Sequence, residues 1–378
     1  VMSIPAKSAV PVASYQYPFV RPRIPRLAEI EPELDVSRSS GFFTNFAPAS
    51  LRLEQAVEQS FLSGSCAVTA GNCTAALTAA LIATRRKGPV LVPAFTFPAT
   101  VSAVRGAGLA PIVGDVDPMT GVLDPGALDH CIRTHGCDAV IVVRPYGIWS
   151  DLGELAEICR RAGVVLIIDN AAGLGVAREV VARFAVEDAI EAFSLHATKP
   201  FGVGEGGLIS CPSPLVANIR SALNFGLWML GDLKPGEGIN GKMDDVTAAM
   251  AIVVGRHLPA RIRERQRMAA LYNRWALKAG LETFVAPGEE GLSPWQCFAL
   301  RLPEGVSAAG ISAHCAAAGL SVRRYYHPPV SLSSVREPIR NAERLSERAL
   351  CLPVYDGEDV ASAGDIWAIF IEGVRLFS

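Results

Sequence analysis

The sequence predicts an α/β protein: a mostly parallel sheet between layers of helices, followed by a smaller α+β unit at the C-terminal end. Three observations carry this. Short, continuous apolar runs recur along the first two thirds of the chain, among them Ala139-Val140-Ile141-Val142-Val143 and Val164-Val165-Leu166-Ile167-Ile168. Strands without polar alternation are buried on both faces, which parallel sheets require. Helical stretches separate these runs, as crossover connections between parallel strands must. Past residue 246 the pattern changes to one long helical stretch and then to a different mixture of strand and helix.

Taken in order, residues 1–26 are rich in Pro, Val and Arg with little periodicity, and read as an arm. Apolar spacing at Leu53, Ala56, Val57 and Phe61 predicts a helix from about residue 51. Strands follow at Val90-Leu91-Val92, at 111–115, at 139–143 and at 164–168. Another run ends at Ser194, and Gly207-Leu208-Ile209-Ser210 follows a glycine-rich loop. Val246 to Leu277, with Arg261, Arg263, Arg265 and Arg267, reads as a long helix leading out of this first unit. Beyond it a strand is expected around 298–300 and a helix around 308–318. The expected division is an arm over 1–26, a large domain over 27–258 and a small domain over 259–378.

Composition narrows the function. The 378 residues are 50% hydrophobic and 19% charged, which suits a compact enzyme rather than a disordered chain. A net charge of −2 gives no electrostatic footprint for nucleic acid or an anionic membrane. No apolar run approaches the length of a membrane span, and the first residues lack the basic-then-apolar pattern of a signal peptide; a cytoplasmic protein is expected. The nine cysteines show no CxxC or CxxH spacing. They read as reduced thiols, with no disulfide and no metal site.

The chemistry centres on Lys199. An apolar strand end delivers Ser194; Lys199 follows five residues later, and Gly202, Gly204, Gly206 and Gly207 close the loop behind it. Apolar walls lower a lysine's pKa and make a neutral amine available for Schiff-base chemistry. The Ser194 hydroxyl and nearby N–H groups suit an anion such as a phosphate. Asp169 ends the most hydrophobic strand, where a carboxylate is costly without a cation. Gly71-Asn72-Cys73-Thr74 starts a helix whose N-terminus suits a phosphate. Phe95 and Phe97 follow another strand, and one of the two rings suits stacking on a planar group. On residues alone, bland readings stay open: a surface lysine on a turn, an Asp capping the next helix, an ordinary N-cap and core-packed Phe.

Asp, Lys, Ser and an aromatic on successive strand ends resemble the fold-type-I enzymes that use pyridoxal 5′-phosphate. More narrowly, the chain is similar to the DegT/StrS-type sugar aminotransferases over about residues 27–355. The matching segments include Phe43-Thr44-Asn45-Phe46-Ala47-Pro48, Val92 through Thr100, Gly114-Asp115-Val116-Asp117-Pro118, Asp169-Asn170-Ala171-Ala172 and Phe193 through Gly207. Gly238-Ile239-Asn240-Gly241-Lys242-Met243, Arg323-Arg324-Tyr325-Tyr326-His327-Pro328 and Leu350 through Tyr355 also match.

The resemblance implies that Lys199 bonds the cofactor aldehyde, Asp169 meets the pyridine nitrogen and Phe97 stacks on the ring. It implies that Ser194, Cys73 and Thr74 bind the phosphate, while Asn240 reaches the phosphate of the neighbouring subunit in a homodimer with shared active sites. It also implies that Thr44 and Asn45 belong to the substrate loop. His196, Tyr326 and His327 would line the acceptor pocket, with Arg323 or Arg324 on a diphosphate or the donor carboxylate; for His196 a structural role stays open, as does a plain surface role for the arginines. The implied reaction moves an amino group from L-glutamate to a keto-sugar, often nucleotide-linked. A cyclitol or other carbohydrate ketone is an alternative, as is a dehydratase or a non-catalytic sensor on the same scaffold; the dehydratases of this kind carry histidine where this chain has Lys199. Four departures stand out. Cys73 replaces a usual glycine, and Ala172 stands where Gln, His or Glu approaches the cofactor oxygen or substrate. Gly241-Lys242 replaces Tyr-Arg, and Pro200 replaces a frequent Asn.

Overall fold

The computed structural model describes residues 15–227, 231–332 and 338–377, so the first 14 residues of the expected arm lie outside the described residues. Seven strands form the large sheet: β1 (Cys66–Ala70), β2 (Val90–Pro93), β3 (Pro111–Gly114), β4 (Ala139–Val143), β5 (Val165–Asp169), β6 (Ile190–Ser194) and β7 (Gly207–Cys211). Their spatial order is β1-β7-β6-β5-β4-β2-β3. β7 runs antiparallel to both neighbours, and the other pairings are parallel. The predicted class, a mostly parallel sheet between helices, is what the chain forms.

β4 shows why its sequence carries no polar alternation. Ala139 and Ile141 enter one apolar core with helix Cys73–Ala83, while Val140 and Val142 enter a second core with helices Pro125–His135 and Gly153–Ala162. Successive side chains point to opposite faces, and both faces are covered. β1 escapes a reading by hydrophobicity because Cys66 and Thr69 interrupt it; its register with β7, Cys66↔Cys211 through Ala70↔Gly207, makes it an edge strand.

The expected long helix is Asp245–Lys278, and it runs unbroken past residue 258, with Pro259 on an exposed face. Three antiparallel strands follow, β8 (Glu282–Thr283), β9 (Cys297–Arg301) and β10 (Ala349–Pro353), in the order β10-β9-β8. Helices Ala308–Ala317 and Ala363–Leu376 share a core with them and with the long helix, built from Ile311, Phe370, Phe298, Leu300 and Tyr272. The described part of the arm lies against this unit: the Tyr17 N–H donates to the Gly319 carbonyl at 3.0 Å and its phenol to Asp365 at 2.9 Å.

One expectation is corrected. Cys131 and Cys137 are joined as a disulfide, and seven other cysteines are free. Helix Pro125–His135 ends at Gly136, whose left-handed backbone (φ 64°) folds Cys137 back toward the last turn that carries Cys131. A six-residue spacing hides this return in the sequence.

Candidate active site

Parallel strands put their carboxyl ends on one edge of the sheet, and ligands bind there in open α/β folds. β1, β2, β4, β5 and β6 all end on this edge, and antiparallel β7 begins on it. A cavity of ≈ 750 Å³ opens at that edge, lined among others by Cys73, Thr74, Phe97, Asp169, Ser194 and Lys199.

Lys199 sits in the loop between β6 and β7. The loop is folded on itself by bonds from the N–H groups of Ala197 to the Gly204 carbonyl (2.8 Å) and of Lys199 to the His196 carbonyl (2.8 Å). The lysine side chain opens to the cavity on one side and is enclosed by protein on the others. Burial lowers its pKa from the ordinary lysine range, with Cys73 and Asp169 opposing that shift. Its Nζ donates to Oε1 of Gln296 at 3.1 Å.

Asp169, 6% exposed, closes β5. Its Oδ2 accepts from the Thr100 hydroxyl at 2.8 Å, which is in turn 2.8 Å from that of Thr96. Its Oδ1 accepts from the Ala171 N–H at 3.2 Å. Among the described residues no guanidinium touches it. Burial raises its pKa, and the Thr100 bond and the Lys199 charge only partly offset that. The carboxyl is therefore held in place by neutral donors and lacks a contacting cation. The capping reading falls away, because its partners are not the first turn of the next helix, Arg178–Phe184.

The Asn72 side chain caps helix Cys73–Ala83 by accepting from the Ala75 N–H at 2.8 Å. The Cys73 and Thr74 N–H groups are left at the positive end of the helix, facing the cavity they line. Gly207 lets β7 start against this turn, since a Cβ there would lie 2.5 Å from the Asn72 carbonyl carbon. Burial pushes the Cys73 thiol well above its usual pKa, so it is a neutral wall atom. The Ser194 Oγ accepts the His196 N–H at 3.2 Å, and its hydrogen stays free to donate. Of the aromatic pair, Phe95 is fully buried against Tyr146 and Tyr326, while Phe97 is 57% exposed at the cavity wall.

The structure thus brings Lys199, Asp169, Cys73, Thr74, Phe97, Ser194, His196 and Tyr326 to one cavity. Thr44, Asn45, Asn240, Arg323 and His327 lie on exposed surface and are not part of its lining. Asn240 accepts from Lys242 Nζ at 2.6 Å, and Arg323 stands over the Phe19 ring at 5.5 Å. His196 is committed to its own loop: Nδ1 lies 2.9 Å from the Thr198 hydroxyl and accepts the Thr198 N–H at 3.2 Å. Sequence reasoning missed Thr100 and Gln296. Thr100 was within reach, since it is one helical turn after Thr96 and just behind Phe97; Gln296 belongs to no motif. Among the described residues no cluster of His, Cys, Asp and Glu suits a metal, and no helix is long and apolar enough to cross a membrane.

A sequence model of the DegT/DnrJ/EryC1/StrS aminotransferase family matches residues 27–369. The chain belongs to this family. Among the DegT relatives is dTDP-4-amino-4,6-dideoxy-D-glucose transaminase of Shigella dysenteriae, 29% identical over 346 residues, covering 89% of this chain and 93% of the relative. The crystal structure of DesI in the presence of its TDP-sugar product superposes with a TM-score of 0.82 at 29% identity, covering 96% of this chain and 95% of that one. NtdA of Bacillus subtilis, with bound cofactor PMP, shares the fold at a TM-score of 0.76 and 20% identity, covering 98% and 90%. The resemblance noticed in the motifs is thus membership of the DegT family over nearly the whole chain.

Proposed function

We propose that this protein is a pyridoxal 5′-phosphate-dependent aminotransferase that moves an amino group from L-glutamate to the ketone of a nucleotide-linked sugar. One observation carries the reading: an amine of lowered pKa and a buried acid without a contacting cation share a cavity with a free helix N-terminus. Each fits a part of the cofactor. A protonated pyridine nitrogen is the cation that Asp169 lacks. Ser194 Oγ and the N–H groups of Cys73 and Thr74 would hold the phosphate, and the Phe97 ring offers a plane to lie against. The acceptor class rests on relatives: the Shigella enzyme is named for a dTDP-amino sugar, and the DesI structure was determined with a TDP-sugar.

When bound, the cofactor supplies an aldehyde for the amine and a ring that draws electrons from the substrate carbon. The chain supplies the rest. Lys199 Nζ, its pKa lowered by burial, accepts the proton from the donor's Cα and returns a proton to the carbon of the acceptor. Asp169 keeps a positive charge fixed at the far end of the cavity, and Thr100 keeps the carboxylate pointed at it. A second copy of the chain completes the reading. Asn240 is exposed outside the cavity, with Phe225 and Phe97 exposed as well, at 42% and 57%; a homodimer would cover these rings and bring Asn240 to the partner's phosphate.

The test is direct. Protein mixed with pyridoxal phosphate and reduced with borohydride should carry the label on Lys199, as read by peptide mass spectrometry. A panel of nucleotide-linked and free keto-sugars, offered with glutamate, should yield an added amine by mass for the nucleotide-linked members. A label elsewhere, or none, refutes the reading; amination confined to free sugars or cyclitols corrects the acceptor class.

A further inference from the structure

Gln296 precedes β9 and is 6% exposed, yet it reaches the cavity. Its Oε1 is 3.1 Å from Lys199 Nζ. An ammonium has only donors, so it is the amide oxygen that must face it. The amide Nε2 has no acceptor among the described residues and remains at the cavity wall. Three features fix the backbone that carries this side chain. Trp295 holds a left-handed backbone (φ 58°), a conformation that a bulky residue adopts only under constraint from its surroundings. The Trp295 indole donates to the Glu290 carbonyl at 2.7 Å. Buried Arg265 donates to the Trp295 carbonyl at 2.9 Å and to the Gln296 carbonyl at 3.4 Å, while Asp356 holds the guanidinium at 3.1 Å. Elsewhere on the wall, Ala172 contributes only a methyl group.

We propose that Gln296 is the positioning residue for the Lys199 amine, its oxygen fixing the direction of Nζ and its N–H donors serving the cavity where Ala172 provides none. The inference rests on Lys199 being the reactive amine. Backbone strain at Trp295 and a buried arginine clamp are spent on the aim of one amide, and the amide is aimed at Nζ. An acceptor on Nζ favours the charged amine and so opposes the desolvation that lowers its pKa.

The experiment reads the amine itself. The full chain, freed of cofactor, is acetylated with acetic anhydride across pH 6–10, and the extent at Lys199 is read by mass spectrometry. Gln296→Leu keeps the volume and removes the acceptor; its midpoint should fall by about one pH unit, a tenfold gain in free amine at a pH below both midpoints. Gln296→Glu should move the midpoint up by at least as much. Opposite displacements support the proposal, because a merely structural residue would change stability without splitting the two variants. Any other pattern overturns it, and if the Leu variant does not fold, an unmoved Glu variant overturns it alone. Borohydride labelling of wild-type protein with pyridoxal phosphate separates the two levels: no label at Lys199 refutes the aminotransferase reading, while a labelled Lys199 with unmoved midpoints refutes only the role of Gln296.

Discussion

Asp169 and Asp356 are buried to nearly the same extent, 6% and 4% exposed, in two different regions of the chain. Asp356, where the C-terminal unit meets the arm and the long helix, is ringed by guanidinium groups: Arg23 at 3.0 Å, Arg265 at 3.1 Å and Arg261 at 3.3 Å. Asp169, at the sheet edge, meets a hydroxyl and a backbone N–H. A carboxylate taken out of water must be paired or its pKa rises, and the two sites answer that demand differently. The first is complete within the chain and ties three segments together. The second has only neutral donors among the described residues, and under the proposed function it would receive a positive charge from the cofactor. Burial of an acid does not by itself mark a functional site; the position of Asp169 beside Lys199 at the cavity wall sets it apart.

The comparison can be broken most forcefully at Lys199, whose charge partly offsets the raised pKa of Asp169. Lys199→Ala should lower turnover by about 10⁴-fold, the upper range for a lost general base, measured with glutamate and the acceptor found in the panel. At the other site, Asp356→Ala leaves Arg265 buried without its carboxylate, and should destabilise the fold by about 3–5 kcal/mol in urea, while turnover per folded molecule falls far less than in Lys199→Ala. Asp169→Asn should do the reverse. Turnover should fall by about 10²-fold or more, while the cofactor-free protein should gain about 1 kcal/mol, because a charge with no contacting cation is removed. The pH dependence gives the sign. Asp169 is raised when folded, so between its ordinary range and its folded pKa the unfolded chain is ionised and the folded chain is not. Wild-type stability relative to Asp169→Asn should therefore be level at low pH, fall through that window and stay level above it. A flat difference in chemical denaturation from pH 3 to 8 would mean that folding does not raise the Asp169 pKa.

The same contrast explains what could be read from the residues alone. The parallel class of the sheet was legible because strands such as β4 and β5 are continuous apolar runs. Asp169, Ser194 and Lys199 stood out as polar groups at the ends of such runs. Their convergence followed from topology: parallel strands share one edge, and β7 returns to it. Thr100 offered only its spacing from Thr96 and Phe97, and Gln296 was not legible, because an amide before a strand is ordinary in sequence; what singles them out is a hydrogen bond to Asp169 or Lys199. The Arg265–Asp356 pair was equally hidden, since 91 residues separate its members. The Cys131–Cys137 pair was hidden for a local reason, the reversal at Gly136. The positions that the cavity excludes, Thr44, Asn45, Asn240, Arg323 and His327, share one property. They are exposed on the single chain, where sequence similarity alone cannot distinguish a site shared between subunits from open surface.

His196 sharpens the comparison from the side of small effects. It lines the cavity, three residues before Lys199, which would place it with Asp169. Its hydrogen bonds place it with Asp356. Nδ1 accepts from the Thr198 N–H and so must be the unprotonated nitrogen whenever the ring is neutral; Nε2 then carries the hydrogen, facing Glu205 at 3.6 Å. A ring with one nitrogen used by its own loop and the other turned toward an exposed glutamate has little left to give to the reaction. Its contribution is to hold the turn that presents Lys199. His196→Asn keeps an acceptor near the Thr198 N–H and should change kcat/KM by less than about fivefold, or ~1 kcal/mol. His196→Ala should lose about the same amount again as stability of the loop, seen as faster amide exchange at Thr198 and Lys199. A drop of a hundredfold or more in the asparagine variant, with the fold intact, would move His196 to the reactive side and show that a satisfied hydrogen-bond pattern does not by itself mark a structural residue.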